Sequence, residues 1–261
     1  MSAPDGGAAA VGPPAEGPPR PLGRLADLVF LVLSGLLMAA MGAVGAPAAV
    51  RSPEAGRAAM KTYNRAVHAL FTSFTGVAVE VRGRVPDYPC VVAPKHQSLL
   101  DVYMLFEALP EARFVMKAEL ARVPVFAWYT RRVGCITIDR ARPGGAREAL
   151  AQLEAAGAGA GQIVVYPQGT RVAPGVEAPW RRGAAAIALE MGLPLVPVAV
   201  NTGHFWSRTG RLAGPGTAVV EFLDPIETSG GESLALTETL RARIEPASAR
   251  LAPAGTVSSP A

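Results

Sequence analysis

Cysteine, histidine and lysine are all scarce in this 261-residue chain, and each shortage narrows its chemistry. The two cysteines, Cys90 and Cys135, lie far apart, and the three histidines are scattered at His68, His96 and His204. Neither a disulfide framework nor a zinc spacing is present, so no metal is expected. In a cytosol-facing domain two such cysteines read most simply as free buried thiols. No Gly-x-Ser-x-Gly occurs, which removes the nucleophile turn of an ordinary serine hydrolase. Gly157, Gly159 and Gly161 precede an apolar run instead of following one. That is the wrong context for a dinucleotide loop and suits a flexible helix-to-strand turn. Lysine supplies only three of the 25 basic residues. The arginines that make up the rest favour bidentate contacts to phosphate or carboxylate. A formal net charge of +4 argues only weakly for an anionic surface or substrate, and no nucleic-acid partner is expected.

Apolar residues, by contrast, make up 50% of the chain, enough for a substantial core. Residues 1–22 are dominated by Pro, Gly and Ala without a period and read as a disordered tail, as do residues 251–261. Residues 23–75 read as a helical, membrane-associated anchor. Within them the run 28–50 carries no charge, and as a helix it is long enough to cover about 30 Å of hydrocarbon. Pro47 is expected to end its helical part. Arg51, Arg57, Lys61 and Arg65 follow the run, against Arg20 and Arg24 before it, which argues that the downstream domain stays on the cytoplasmic side.

Three readings of the run stay open: a spanning helix, a monotopic anchor in one leaflet, or a secretory signal cleaved at Ala46-Pro47-Ala48, for which the run is long. The next segment, 57–75, gathers Met60, Tyr63, Asn64, Val67, Ala69, Leu70, Phe71 and Phe74 near one stripe, with Arg57, Lys61 and Arg65 on another. Such a helix either meets anionic headgroups or packs on the domain below.

From 76 to 250 short apolar runs alternate with helical stretches. Strands are expected at 77–82, 89–93, 113–116, 135–138, 162–166, 195–200 and 217–223, and helices at 98–109, 118–131, 144–156, 181–191 and 232–250. The alternation predicts an α/β domain with a mixed, largely parallel sheet flanked by helices, whose ligands sit beyond the carboxyl ends of the strands.

One such strand end holds His96, with Asp101 five residues on. Positions five apart on a single helix point about 140° away from each other, so the two pair only if His96 lies in the turn and Asp101 in the helix. With Ser98 as N-cap, Asp101 falls in the first helical turn. There its carboxylate either receives the Nδ1 proton of His96, freeing Nε2 as a general base, or merely closes a capping box on the backbone. Two further strand ends carry polar residues. One is Gly134-Cys-Ile-Thr-Ile-Asp139-Arg140. The other is Ile163-Val-Val-Tyr166-Pro-Gln168-Gly169-Thr170-Arg171, whose glycine admits a ligand to the backbone and whose Thr170 and Arg171 offer donors to an anion. His204, Phe205 and Trp206, like Trp128 and Tyr129, either line a substrate channel or pack on the core.

Taken together, these blocks resemble the glycerolipid acyltransferase family, most closely its bacterial 1-acylglycerol-3-phosphate acyltransferases. The family's His-x-x-x-x-Asp block matches His96 to Asp101, including Ser98, and its second block looks like Gly134 to Arg140. Its third block, typically Phe-Pro-Glu-Gly-Thr-Arg, is similar to Tyr166 to Arg171, and its apolar Val-Pro-Val strand to Leu195 to Asn201. Lys95 stands where the family commonly has Asn, and Gln168 where it has Glu, keeping size and hydrogen bonding but losing a charge.

The resemblance implies that His96, oriented by Asp101, removes the proton of the sn-2 hydroxyl of lysophosphatidic acid as it attacks an acyl thioester, giving phosphatidic acid. It implies that Arg171, with Lys117 and Arg140, holds the acceptor phosphate, that Gly169 and Thr170 shape its pocket, and that Ser98 and Gln168 support the site. No cofactor is expected, coenzyme A or acyl carrier protein bringing the thioester as co-substrate. The partners are membrane lipids. A lyso-ornithine-lipid acceptor and a non-catalytic lipid-binding relative are the alternatives, and the oligomeric state is left open.

Overall fold

Two short and wholly apolar runs occupy the centre of the molecule. Cys90–Pro94 and Leu195–Val200 are buried along their whole length, as strands covered on both faces must be. The computed structural model describes residues 18–138, 145–155 and 161–256. In chain order these form β1 (Arg20–Pro21), α1 (Arg24–Arg51), α2 (Pro53–Thr75), β2 (Val77–Arg82), β3 (Cys90–Pro94), α3 (Leu99–Ala108), β4 (Ala112–Lys117), α4 (Pro124–Arg132), β5 (Ile136–Ile138), α5 (Gly145–Ala155), β6 (Gln162–Val164), α6 (Gly183–Met191), β7 (Leu195–Val200), β8 (Ala213–Gly214), β9 (Gly216–Phe222) and α7 (Ser233–Arg250).

Seven of these strands pair in the order β2-β9-β7-β3-β6-β4-β5. All neighbours are parallel except β7 and β9. The α/β class expected from the alternation is the observed one. Side chains of β3 alternate between two cores. Val92 joins Phe71, Leu100, Leu105, Phe114 and Val196 on the side of α1, α2 and α3. Val91 and Ala93 join Leu153, Ile187, Leu195, Leu240 and Ile244 on the side of α5, α6 and α7. Because β3, β4, β5, β6 and β7 run in one direction, their carboxyl ends share one edge of the sheet.

The segment expected as an anchor differs from its expected form at both ends. α1 runs through Pro47 to Arg51 instead of stopping at the proline. The missing N–H removes one bond, to the Ala43 carbonyl near the helix end, and both residues are exposed. Ala49 and Gly56 pack against each other at this end, and Arg132 donates to the Val50 carbonyl, so the last turn is held from outside. At the other end the Asp27 carboxylate accepts from the Leu212 N–H at 2.8 Å and pairs with Arg211 at 3.3 Å. Residues 20–22, expected in a tail, are paired: β1 lies antiparallel to β8, and Leu22 N–H donates to the Leu212 carbonyl at 3.1 Å. Residues 251–256, also expected in a tail, form turns that follow α7.

α2 starts at Ser52, whose hydroxyl accepts from Ala55 N–H at 3.1 Å, and stops at Gly76 in the left-handed region at φ 67°. Of its expected apolar stripe only Ala69 is exposed. Its basic stripe is mostly spent on the domain: Arg57 donates to the Ala112 carbonyl at 3.3 Å and Lys61 to the Leu109 carbonyl at 2.8 Å, while Arg65 faces solvent. The helix expected at 118–131 is divided. A 3₁₀ turn, Ala118–Arg122, precedes α4, because Val123 before Pro124 is held extended at ψ 105°. Trp206 and Phe205, buried with Phe30 and Phe71 and against half-buried Tyr103, belong to the core and not to a channel. Tyr129 is likewise buried, its hydroxyl donating to the Met41 carbonyl at 3.2 Å.

The end of β7 is clasped by Asn201. Its Nδ2 donates to the carbonyls of Thr217 at 3.0 Å and Leu251 at 2.8 Å, and its Oδ1 accepts from Val219 N–H at 2.6 Å. Asn201→Ala strands one buried and two part-buried backbone groups and is expected to cost about 2–4 kcal/mol, read as a lower urea midpoint with unchanged slope.

Candidate active site

β3 ends where the Lys95 N–H donates to the Val198 carbonyl at 2.9 Å. Side chains still alternate at this point, so consecutive residues take opposite faces of the sheet. The Lys95 side chain, 5% exposed, goes to the α7 side and forms an ion pair with Glu245. Glu245 also lines a cavity of about 350 Å³ with Glu177, Trp180, Glu238 and Arg241. His96 turns to the α3 side, where its ring stacks on that of Tyr166 at 3.8 Å between centroids and 24° between planes.

The two readings of Asp101 prove compatible, because its oxygens divide the work. Oδ1 accepts from His96 Nδ1 at 3.0 Å and from the Tyr166 hydroxyl at 2.9 Å. Oδ2 accepts from the N–H groups of Gln97 at 2.9 Å and Ser98 at 2.7 Å, and from the Thr202 hydroxyl at 3.3 Å. Ser98 is the N-cap of α3 and accepts from Leu100 N–H at 3.0 Å. Asp101 is 0% exposed, and a buried carboxylate without such donors would be strongly unfavourable. As this carboxylate only accepts, the Nδ1 proton belongs to His96, and the lone pair lies on Nε2. His96 Nε2 makes no hydrogen bond among the described residues, and the side chain is 15% exposed. Burial, followed by the neighbouring Asp101, pushes the Tyr166 phenol well above its ordinary range, which keeps it a donor.

The third block is stitched to this turn. Gly169, at φ 70°, closes a turn with its N–H donating to the Tyr166 carbonyl at 3.0 Å, and Val172 N–H donates to the His96 carbonyl at 2.8 Å. Arg171 is thus one residue from a backbone bond to His96; it is half-buried and has no ion-pair partner among the described residues. Thr170 is exposed. Gln168 is 3% exposed, and both atoms of its amide lack a partner among the described residues. The hydrogen bond that its size would permit is not made to any described residue. Lys117 ends β4 on the same sheet edge, two strands from β3, and is paired with Glu119 at 2.9 Å. Arg140 lies outside the described residues, with Asp139, Gly157 and Gly159.

Two contributors were not foreseen. One is the Tyr166 hydroxyl, at a position the third block fills with Phe, and the other is Thr202, which directly follows the Leu195 to Asn201 segment. Gln97 adds a third link: its Oε1 accepts from Gly203 N–H at 3.1 Å, an approach so close that a side chain at Gly203 would strike Gln97 and Pro174. Neither cysteine is disulfide-bonded. Cys90 is buried and Cys135 half-buried, and burial pushes the Cys90 thiol up to about 12, far from nucleophilic. Among the described residues no His, Cys, Asp and Glu grouping could hold a metal ion.

Residues 77–201 match the Acyltransferase family model. The 1-acyl-sn-glycerol-3-phosphate acyltransferase of Pseudomonas aeruginosa is 36% identical over 170 residues, which cover 62% of this chain and 65% of that protein. The 1-acyl-sn-glycerol-3-phosphate acyltransferase alpha of Mus musculus is 32% identical over 162 residues, covering 59% of this chain and 57% of that protein. The chain thus spans less than two thirds of the length of these curated relatives. The crystal structure of the 1-acyl-sn-glycerophosphate (LPA) acyltransferase PlsC from Thermotoga maritima has the same fold. Its TM-score is 0.72 at 22% identity, over 87% of this chain and 95% of that one.

Asp101→Ala leaves five donors facing a void. We expect a loss of about 3–5 kcal/mol in chemical unfolding, whereas Asp101→Asn, which keeps the shape, loses less.

Proposed function

We propose, taking residues 77–201 as an Acyltransferase-family domain, that the chain moves a fatty acyl group from a thioester to the sn-2 hydroxyl of lysophosphatidic acid, giving phosphatidic acid. The observation that carries this reading is the 3.0 Å contact of His96 Nδ1 with the buried Asp101, at a strand end to which the Arg171 block is hydrogen-bonded.

His96 Nε2 takes the proton of the acceptor hydroxyl as its oxygen attacks the thioester carbonyl carbon. The tetrahedral intermediate expels the sulfur as the C–S bond breaks, and the imidazolium returns the proton to it. Ester and free thiol leave, and no enzyme-bound acyl group is formed. Asp101 holds the imidazolium that exists between the two transfers, and a general base so placed contributes about 10² to 10⁴ in rate. Arg171 binds the acceptor phosphate, Gly169 and Thr170 shape its pocket, and Lys117 and Arg140 add positive charge. The donor is carried by coenzyme A or acyl carrier protein, and no cofactor takes part.

α1 serves as a membrane anchor of the monotopic kind. Leu25, Leu28, Leu31, Val32, Leu36 and Val44 are exposed on it. Its other side is bound to the domain by Asp27, by Phe30 in the aromatic cluster and by the Met41 and Val50 carbonyls. A helix fastened along its length enters one leaflet sideways, here at the cytoplasmic face of the inner membrane.

With purified full-length protein, lysophosphatidic acid and a long-chain acyl thioester, release of thiol is expected to match formation of phosphatidic acid. His96→Ala should reduce both by about 10² to 10⁴ at unchanged melting temperature; activity surviving that change removes the proposed base. Arg171→Ala should raise KM for lysophosphatidic acid by about 10-fold or more and spare lyso-ornithine lipid, whereas equal loss for both refutes a phosphate role. Leu28→Glu with Leu31→Glu should cut the fraction floating with phosphatidylglycerol vesicles by about 10-fold or more, since each exposed leucine is worth about 1.5–3 kcal/mol when buried in lipid.

A further inference from the structure

The family block that contains Tyr166 usually has Phe at this position, and a phenyl ring would supply everything here except one oxygen. That oxygen lies 2.9 Å from Asp101 Oδ1, the atom that also accepts from His96 Nδ1 at 3.0 Å. The ring below it stacks on the imidazole at 3.8 Å and packs in turn near Phe114, with centroids 6.3 Å apart. Tyr166 is 7% exposed, and its backbone is fixed by the Gly169 turn. One side chain therefore touches both members of the His96–Asp101 pair.

We infer that Tyr166 is a positioning residue for the general base: its ring is the floor that fixes the imidazole plane, and its hydroxyl shares the Asp101 oxygen and so weakens the carboxylate's hold on the His96 proton. A carboxylate that receives an additional hydrogen bond is a poorer acceptor for each of the others, because the same charge is divided among more donors. The imidazolium formed during proton transfer is then held less tightly than with a phenyl ring in place.

Other groups around the pair do not reproduce this effect. Thr202 donates to the opposite oxygen, Oδ2. Lys95 is committed to Glu245 on the other face of the sheet. His204, on the loop after β7, is held toward its neutral form by burial. Arg171 lies beyond the Gly169 turn and is present equally whether residue 166 carries a hydroxyl or not.

The inference rests on His96 being the base, yet its test can be read without turnover. The chain has three histidines, so proton NMR of full-length protein in detergent micelles resolves His96, assigned by its loss in His96→Gln. In Tyr166→Phe the midpoint of the His96 titration is expected to move up by about half to one pH unit. The acid limb of the kcat/KM profile moves with it. At pH below both midpoints kcat/KM falls about 3- to 10-fold, and on the alkaline plateau it stays within about 2-fold. Tyr166→Leu, which also removes the floor, is expected to lower kcat further with KM little changed.

A His96 midpoint that is unmoved or moved down in a folded Tyr166→Phe overturns the role of the hydroxyl. Equal kcat in Tyr166→Leu and Tyr166→Phe overturns the role of the ring. Absence of thiol release from the unsubstituted protein would instead refute the acyl-transfer reading, and would leave the NMR result standing as a test of this one.

Discussion

A single buried negative charge organises this molecule. Asp101 has no contact with solvent, and its carboxylate is tolerable only because five donors surround it. Those donors come from three separate places: the turn between β3 and α3, the residue pair after β6, and the loop after β7. The charge therefore fixes the mutual position of three strand ends, and the His96 imidazole is one of the groups that it fixes. The capping and orienting roles of the aspartate need not compete, because one oxygen faces the backbone and the other faces the ring.

Around this point the parallel sheet does the rest. Strands running in one direction deliver their carboxyl ends to a common edge, so a polar residue placed just after a strand arrives at the site from any part of the sequence. His96, Lys117, Gln168, Arg171 and Thr202 all reach that edge in this way. The hydrogen bond from Val172 to the His96 carbonyl, and the Gln97 contact with Gly203, lace the loops together. Among the described residues the buried amide of Gln168 takes no part in this lacing.

Where local pattern decided the outcome, the sequence was legible. The apolar runs of β3 and β7, the alternation of strands with helices, and the requirement that His96 lie in the turn with Asp101 in the helix all follow from periodicity and capping. What escaped reading depended on partners distant in the chain. The acceptors that occupy Arg57 and Lys61 are carbonyls about fifty positions away, at 55 and 48 residues' separation. Nothing near those side chains separates a basic face for lipid from one that packs. Pro47 was read by a local rule, and contacts from α4 and α2 overrode it. Similarly, the Tyr166 hydroxyl gains meaning only from an aspartate 65 residues earlier.

The pairing of Lys95 with Glu245 has an outcome of its own. The ammonium is sealed at 5% exposure, while its partner, 150 positions later in the chain, remains 35% open in the cavity beside α7. Only the acid can be reached by water, salt or a solute, so any disturbance enters from that side and ends on the lysine. A single peptide link separates that lysine from the imidazole on the reverse of the sheet. The rear wall of the protein is thereby a close mechanical neighbour of the face that carries His96, and α7 shares the constraints of a turn it never touches in sequence.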